Sequence, residues 1–219
     1  MLQVVGALLP ISLAMALSSV PFLTTVILLL SPKRNSTALP YLLVYVVGMF
    51  AVAAVLSFGL ASLPRQARTG TSLGVIEIVL GLLLIALAIV ELLRTRGREP
   101  ASSNPMLDRV ATFGVWPAIG FALLLNVRPK ALLLATAAGI AIGTARLEPS
   151  EWFVCLLLYT VLSSATVSVP VIMTLARQEK MADRLVRMRD YILAKSGVIT
   201  FIVLLMVGVT VFGAGLTNL

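Results

Sequence analysis

Between Leu42 and Ala61 no helical phase offers a polar face, so this segment cannot lie between an apolar core and water. Comparable apolar runs recur along the chain. At roughly 20 residues per span, they predict helices over 3–30, 40–63, 71–93, 113–143, 151–176 and 196–217, which leaves no room for a soluble domain. With 59% hydrophobic and 12% charged residues and a mean hydropathy of +1.05, the chain cannot assemble a water-soluble surface. The expected fold class is an all-α membrane protein with six transmembrane helices. No Lys or Arg precedes Lys33, so the first run lacks the basic region of a secretory signal and is read as a span.

The fourth run is interrupted. Asn126-Val127-Arg128-Pro129-Lys130 sits inside the otherwise apolar stretch from Phe113 to Ile142. A cation at the centre of a membrane helix costs about 2.5 to 3.5 kcal/mol on insertion scales, and Pro129 leaves the carbonyl four residues earlier without its helical donor. Broken helices with polar groups at mid-depth are how secondary transporters build substrate sites. Asn126, Arg128, Pro129 and Lys130 are therefore the core of a candidate substrate-binding site. The structural alternative is that the cations snorkel or pair with a carboxylate; Glu77 in the third run is the expected partner and is counted among the candidate substrate-binding residues, with a plain interfacial place near the outer end as its alternative.

Charge along the chain sets an orientation. Lys33, Arg34, Arg94, Arg96, Arg98, Arg109, Arg177, Lys180, Arg184, Arg187, Arg189 and Lys195 fall in the first, third and fifth loops, whereas only Arg65, Arg68 and Arg146 fall in the second and fourth. The positive-inside rule then puts the odd loops in the cytoplasm and both termini outside. The third loop, 94–112, is polar and divides the chain into a first three-helix repeat, 1–93, and a second, 113–219. Three is odd, so the repeats must run in opposite directions, the inverted arrangement in which sites form where the halves meet. The first helix of each half is over-long and interrupted: Pro21 follows Ser18 and Ser19 as Pro129 follows Asn126. Ser18, Ser19 and Pro21 are accordingly expected to face the cationic segment.

These segments carry a resemblance. Ala16-Leu17-Ser18-Ser19-Val20-Pro21-Phe22, Leu30-Ser31-Pro32-Lys33-Arg34, Leu125-Asn126-Val127-Arg128-Pro129-Lys130, Val169-Pro170 and the late Gly208 and Gly213-Ala214-Gly215-Leu216 together resemble the sulfolipid-addressing and glycopeptidolipid-addressing proteins of actinobacteria, within the LysE superfamily of exporters. The resemblance implies export of a lipid, glycolipid or other envelope component across the inner membrane. An accessory to a larger lipid exporter, or an exporter of small amino-acid-like solutes, is the alternative. Arg128 stands where relatives commonly have Asn, which implies a more cationic site.

Other features have plainer readings beside functional ones. Ala131, Ala135, Gly139 and Gly143 form a smooth stripe that suits packing within the chain or a homodimer contact. Ser163, Ser164, Thr166 and Ser168 precede Pro170, where they either satisfy carbonyls freed by that proline or line a polar path. Arg177 to Lys195 reads as an interfacial amphipathic helix on anionic lipid, or as a solvated loop. Cys155, the single cysteine, reads as apolar filler. The net charge of +8 belongs to the loops and membrane lipids and gives no reason to invoke nucleic acid. There is no His, no HExxH, and no phosphate-binding GxxxxGK loop, so neither an enzyme nor a cofactor is expected, and transport would draw on a gradient or a partner.

Overall fold

The computed structural model describes residues 1–62, 71–96, 114–145, 147–176 and 182–218. The second loop, the third-loop linker beyond Arg96, Arg146 and the start of the fifth loop lie outside the described residues. What is described is helical almost throughout: α1 Leu2–Ala16, α2 Ser19–Leu30, α3 Arg34–Ala61, α4 Thr71–Arg96, α5 Val115–Asn126, α6 Pro129–Gly143, α7 Pro149–Ala176 and α8 Ala182–Thr217. Long runs of Leu, Val, Ile and Ala leave the backbone as the only polar group in hydrocarbon, and a helix satisfies it locally. Large apolar side chains such as Val47, Val55 and Phe58 on α3, and Val161 and Ile172 on α7, point outward. That outward apolar surface suits lipid, not water.

Four described helices are long and apolar enough to cross a membrane, and there are six spans if each bent pair counts as one. The pairs are α1 with α2, bent by 52°, and α5 with α6, bent by 57°. Each turns through an oblique angle and does not double back. The expected first and fourth spans are thus both interrupted, as Pro21 and Pro129 predict. The sixth differs from expectation. Its helix begins at Ala182 and runs unbroken for 36 residues, about 54 Å at 1.5 Å per residue. Backbone that was expected as a separate interfacial helix or loop is continuous with the span, because no proline interrupts it.

Helix contacts cross between the two halves of the chain. α3 packs against α5 and α6, α1 against α7, and α4 against α8. The α4·α8 contact is antiparallel and built on glycine. A Cβ on Gly74 would lie 2.9 Å from the Gly215 carbonyl oxygen, and one on Gly81 would lie 2.6 Å from the Phe212 nitrogen and 2.8 Å from the Gly208 carbonyl. Two glycines seven residues apart on each helix therefore face each other, which lets the backbones touch. The stripe on α6 is likewise used inside the chain. Gly139 packs on Leu56 and Gly143 on Ser57 and Leu60 of α3, and Ala131 and Ala135 are buried. Since α3 covers it, this stripe is not a homodimer surface.

Candidate functional site

The two breaks have the same local build. Leu17 (φ −75°, ψ 16°) and Val127 (φ −95°, ψ 2°) leave the preceding helix, and Ser18 (φ −73°, ψ 114°) and Arg128 (φ −66°, ψ 149°) are extended before the next one starts. Arg128 precedes Pro129, whose ring disfavours helical geometry at the residue before it. Pro21 has no N–H to give the Leu17 carbonyl. Thr200 of α8 supplies the missing donor, with its hydroxyl 2.9 Å from that oxygen, and Thr166 of α7 donates to the neighbouring Ala16 carbonyl. Thr166 therefore repairs the first break and not the helix that carries it. Ser164 donates to the Val161 carbonyl at 3.4 Å and Ser168 to Ser164 at 3.3 Å, so none of these hydroxyls is bonded to the carbonyl that Pro170 frees, Thr166 O.

A hydrogen bond joins the breaks. Arg128 Nη2 donates to Ser18 Oγ at 3.2 Å, and Ser18 is only 5% exposed. Ser18 and Arg128 are the N-caps of α2 and α6, so the amino ends of two half-helices converge here. Arg128 Nε is buried with no hydrogen-bond partner, as is Asn126 Oδ1. The Asn126 amide donates to the carbonyls of Ala122 at 3.1 Å and Tyr45 at 3.2 Å, neither of which is the carbonyl freed by Pro129. It reaches α3 because Gly48 leaves a notch: a Cβ there would stand 2.6 Å from Asn126 Nδ2.

Buried aromatic hydroxyls line one side. Tyr41 and Tyr45 of α3 stack with ring centroids 6.1 Å apart and lie within electrostatic range of Arg128. Tyr41 also donates to the Pro21 carbonyl at 3.4 Å, which Thr25 shares at 2.8 Å. On α7, Tyr159 and Ser163 are buried within reach of one another, and Tyr159 lies in range of Tyr45; neither hydroxyl has geometry for a hydrogen bond. Lys130, half-buried, is the second residue of α6.

Of the residues expected from sequence, Ser18, Pro21, Asn126, Arg128, Pro129 and Lys130 flank the two breaks, and Ser19 is half-buried beside Ser18. Glu77 belongs elsewhere. It accepts from Asn218 Nδ2 at 2.7 Å, where the start of α4 meets the end of α8. The carboxylate in electrostatic range of both Arg128 and Lys130 is Glu91, fourteen positions along the same helix, about 21 Å away. Glu91 lies three residues before Arg94 at the edge of the basic third loop, a position where a carboxylate carries no local signal that separates it from an interfacial one. Tyr41 and Tyr45 were legible as an i, i+4 pair on one helical face. Tyr159, Thr200 and Gly48 carry no local signal.

The arrangement is rich in donors for an anion. Two helix amino ends, each with backbone N–H groups lacking intrahelical acceptors, meet at a guanidinium, with the Lys130 ammonium two residues on and in electrostatic range. Sulfate, phosphate and carboxylate are the groups such a site holds. Among the described residues no cluster of His, Cys, Asp and Glu is placed to hold a metal.

Residues 8–217, nearly the whole chain, match the family of Sap, the sulfolipid-1-addressing protein. The chain belongs to the Sap family. It is a membrane addressing family and not a family of enzymes. The match spans both breaks and every described helix apart from the first six residues of α1, so α2 and α6, whose amino ends converge, lie wholly within the Sap region. Comparison with curated proteins and with solved structures finds no significant match.

Proposed function

We propose that this Sap-family chain exports an envelope lipid or glycolipid with an anionic or polar head across the inner membrane, and that the head binds where the two helix breaks meet. The observation that carries this reading is a guanidinium held at the convergence of two half-helix amino ends, with Nε buried and unpartnered. A scaffold would bury its polar groups in pairs, because an unpartnered buried donor costs free energy; a conduit leaves them to meet a substrate. The family's name refers to a sulfolipid, and a sulfate ester is an anion. Arg128 takes the head through its planar fork, Lys130 adds charge, and the acyl part stays against apolar helix or bilayer.

The architecture that goes with this is a pair of inverted three-helix repeats of the LysE type, 1–93 and 113–219, joined by the cytoplasmic linker 94–112, with both termini outside. Three features support it. Ser18 and Arg128 are N-caps of matching backbone geometry, contacts between the halves are reciprocal, and Gly74 and Gly81 face Gly215 and Gly208 in antiparallel register.

The test compares surface-extractable lipids in a deletion strain complemented with wild type, Arg128→Gln or Lys130→Gln, each variant shown to be inserted at normal levels. Both variants are expected to lose export, more for an anionic lipid than a neutral one. Normal export by both would make the cations structural and overturn the assignment.

A further inference from the structure

Arginine binds an oxyanion most firmly when two parallel N–H donors, Nε and one terminal nitrogen on the same side, meet two oxygens of one group. In Arg128 that side is Nε with Nη2. Nη2 is spent on Ser18 Oγ at 3.2 Å, and Nε, on the same edge, is buried with no partner. A neutral hydroxyl with one oxygen therefore fills half of the face that a sulfate or phosphate would fill completely.

The surroundings fix which partner yields. Around the first break the Ala16, Leu17 and Pro21 carbonyls are held by Thr166, Thr200, and Tyr41 with Thr25. This pins Ser18 from three helices. Arg128 sits on a long side chain whose described side-chain hydrogen bond is the one to Ser18. A hydrogen bond from a cation to an oxyanion is roughly twice as strong as one between neutral groups, and stronger than one to a neutral hydroxyl, so exchange favours the anion.

We propose that Ser18 is a positioning residue that acts as a resident stand-in for the head's oxyanion. It holds the guanidinium toward the opposite half, is displaced when the anion takes the Nε–Nη2 edge, and returns to that edge as the head leaves. This rests on the reading that Arg128 binds the head, and it reverses the expected role of Ser18, which becomes a competitor of the substrate instead of a ligand.

The test uses the purified full-length protein in dodecyl maltoside with octyl sulfate as probe and octyl glucoside as neutral control. Cys155 is the chain's single cysteine and is fully buried, so a thiol-reactive dye reports thermal unfolding. The midpoint of the octyl sulfate titration gives the apparent affinity. Octyl sulfate is expected to stabilise wild type, Arg128→Gln to lose that response, Ser18→Ala to bind about tenfold more tightly, the factor for relief of one hydrogen bond to a charged group, and Ser18→Thr, which keeps the hydroxyl, to stay near wild type. A purely structural Ser18 would shift the ligand-free melting point and leave the midpoint alone. An unchanged or weaker midpoint in Ser18→Ala, with wild type and Arg128→Gln as expected, overturns the stand-in role and leaves the anion site intact. Binding by Arg128→Gln equal to wild type, or no response from wild type, overturns both.

Discussion

Arg128 and Ser18 hold the same place in two different helix breaks, and the guanidinium of one donates to the hydroxyl of the other at 3.2 Å. Each caps the half-helix that follows it. Residues 110 positions apart are thereby brought to one point, at the amino ends of α2 and α6. A membrane protein places a cation beside helix ends of positive sign only where an anion or carboxylate offsets it; here Glu91 is in range, and the substrate head is the second candidate.

Thr200 is expected to matter out of proportion to its plain chemistry. Its hydroxyl serves the Leu17 carbonyl that Pro21 leaves without a donor. Thr200→Val should cost about 1–3 kcal/mol through a buried unsatisfied carbonyl, read as a drop in melting temperature, while Thr200→Ser should recover most of it. Equal melting points for Val and wild type would show the hydroxyl to be dispensable.

Glycines on α4 and α8 separate cleanly by environment. A Cβ on Gly81 would meet the Phe212 nitrogen at 2.6 Å, whereas one on Gly213 would meet nothing within 4 Å. Gly81→Ala should cost about 1–3 kcal/mol by overpacking, some 2–4 °C per kcal/mol for a chain of this size. Gly213→Ala should be neutral. Unfolding curves of the two variants decide it.

Gly48→Ala is expected to expel Asn126 from α3, because the new methyl would stand 2.6 Å from Asn126 Nδ2. Loss of the amide bond to the Tyr45 carbonyl should loosen the second break and lower export of anionic lipid at normal insertion. Gly120→Ala on α5, with open space around it, is the matched control. Wild-type export in both variants would remove Asn126 from the site.

Orientation is open to direct labelling. In a Cys155→Ala background, Ser103→Cys is expected to react with a membrane-impermeant maleimide only from the cytoplasm, and Ser150→Cys, which is exposed at the start of α7, only from outside. The reverse pattern would invert the proposed topology.

Apolar run length, the two prolines and the placement of basic residues are local properties, and they were enough to determine by themselves an all-helical membrane chain, breaks in the first and fourth runs, and Arg128 as the residue to watch. Partner choice was decided only by the tertiary structure. Glu77 and Glu91 lie on one helix, and only the packing of α4 against α6 and α8 puts Glu91 in range of the cations and Glu77 against Asn218. Thr166 precedes Pro170 in sequence yet serves the first break, because α1 lies against α7. The stripe on α6 suited a second copy as well as a neighbouring helix until α3 was seen to fill it. The physical reason is common to all three: insertion and helix breaking depend on each segment's transfer free energy and backbone chemistry, whereas hydrogen bonds and close packing depend on which faces meet, and residues far apart in the chain decide that.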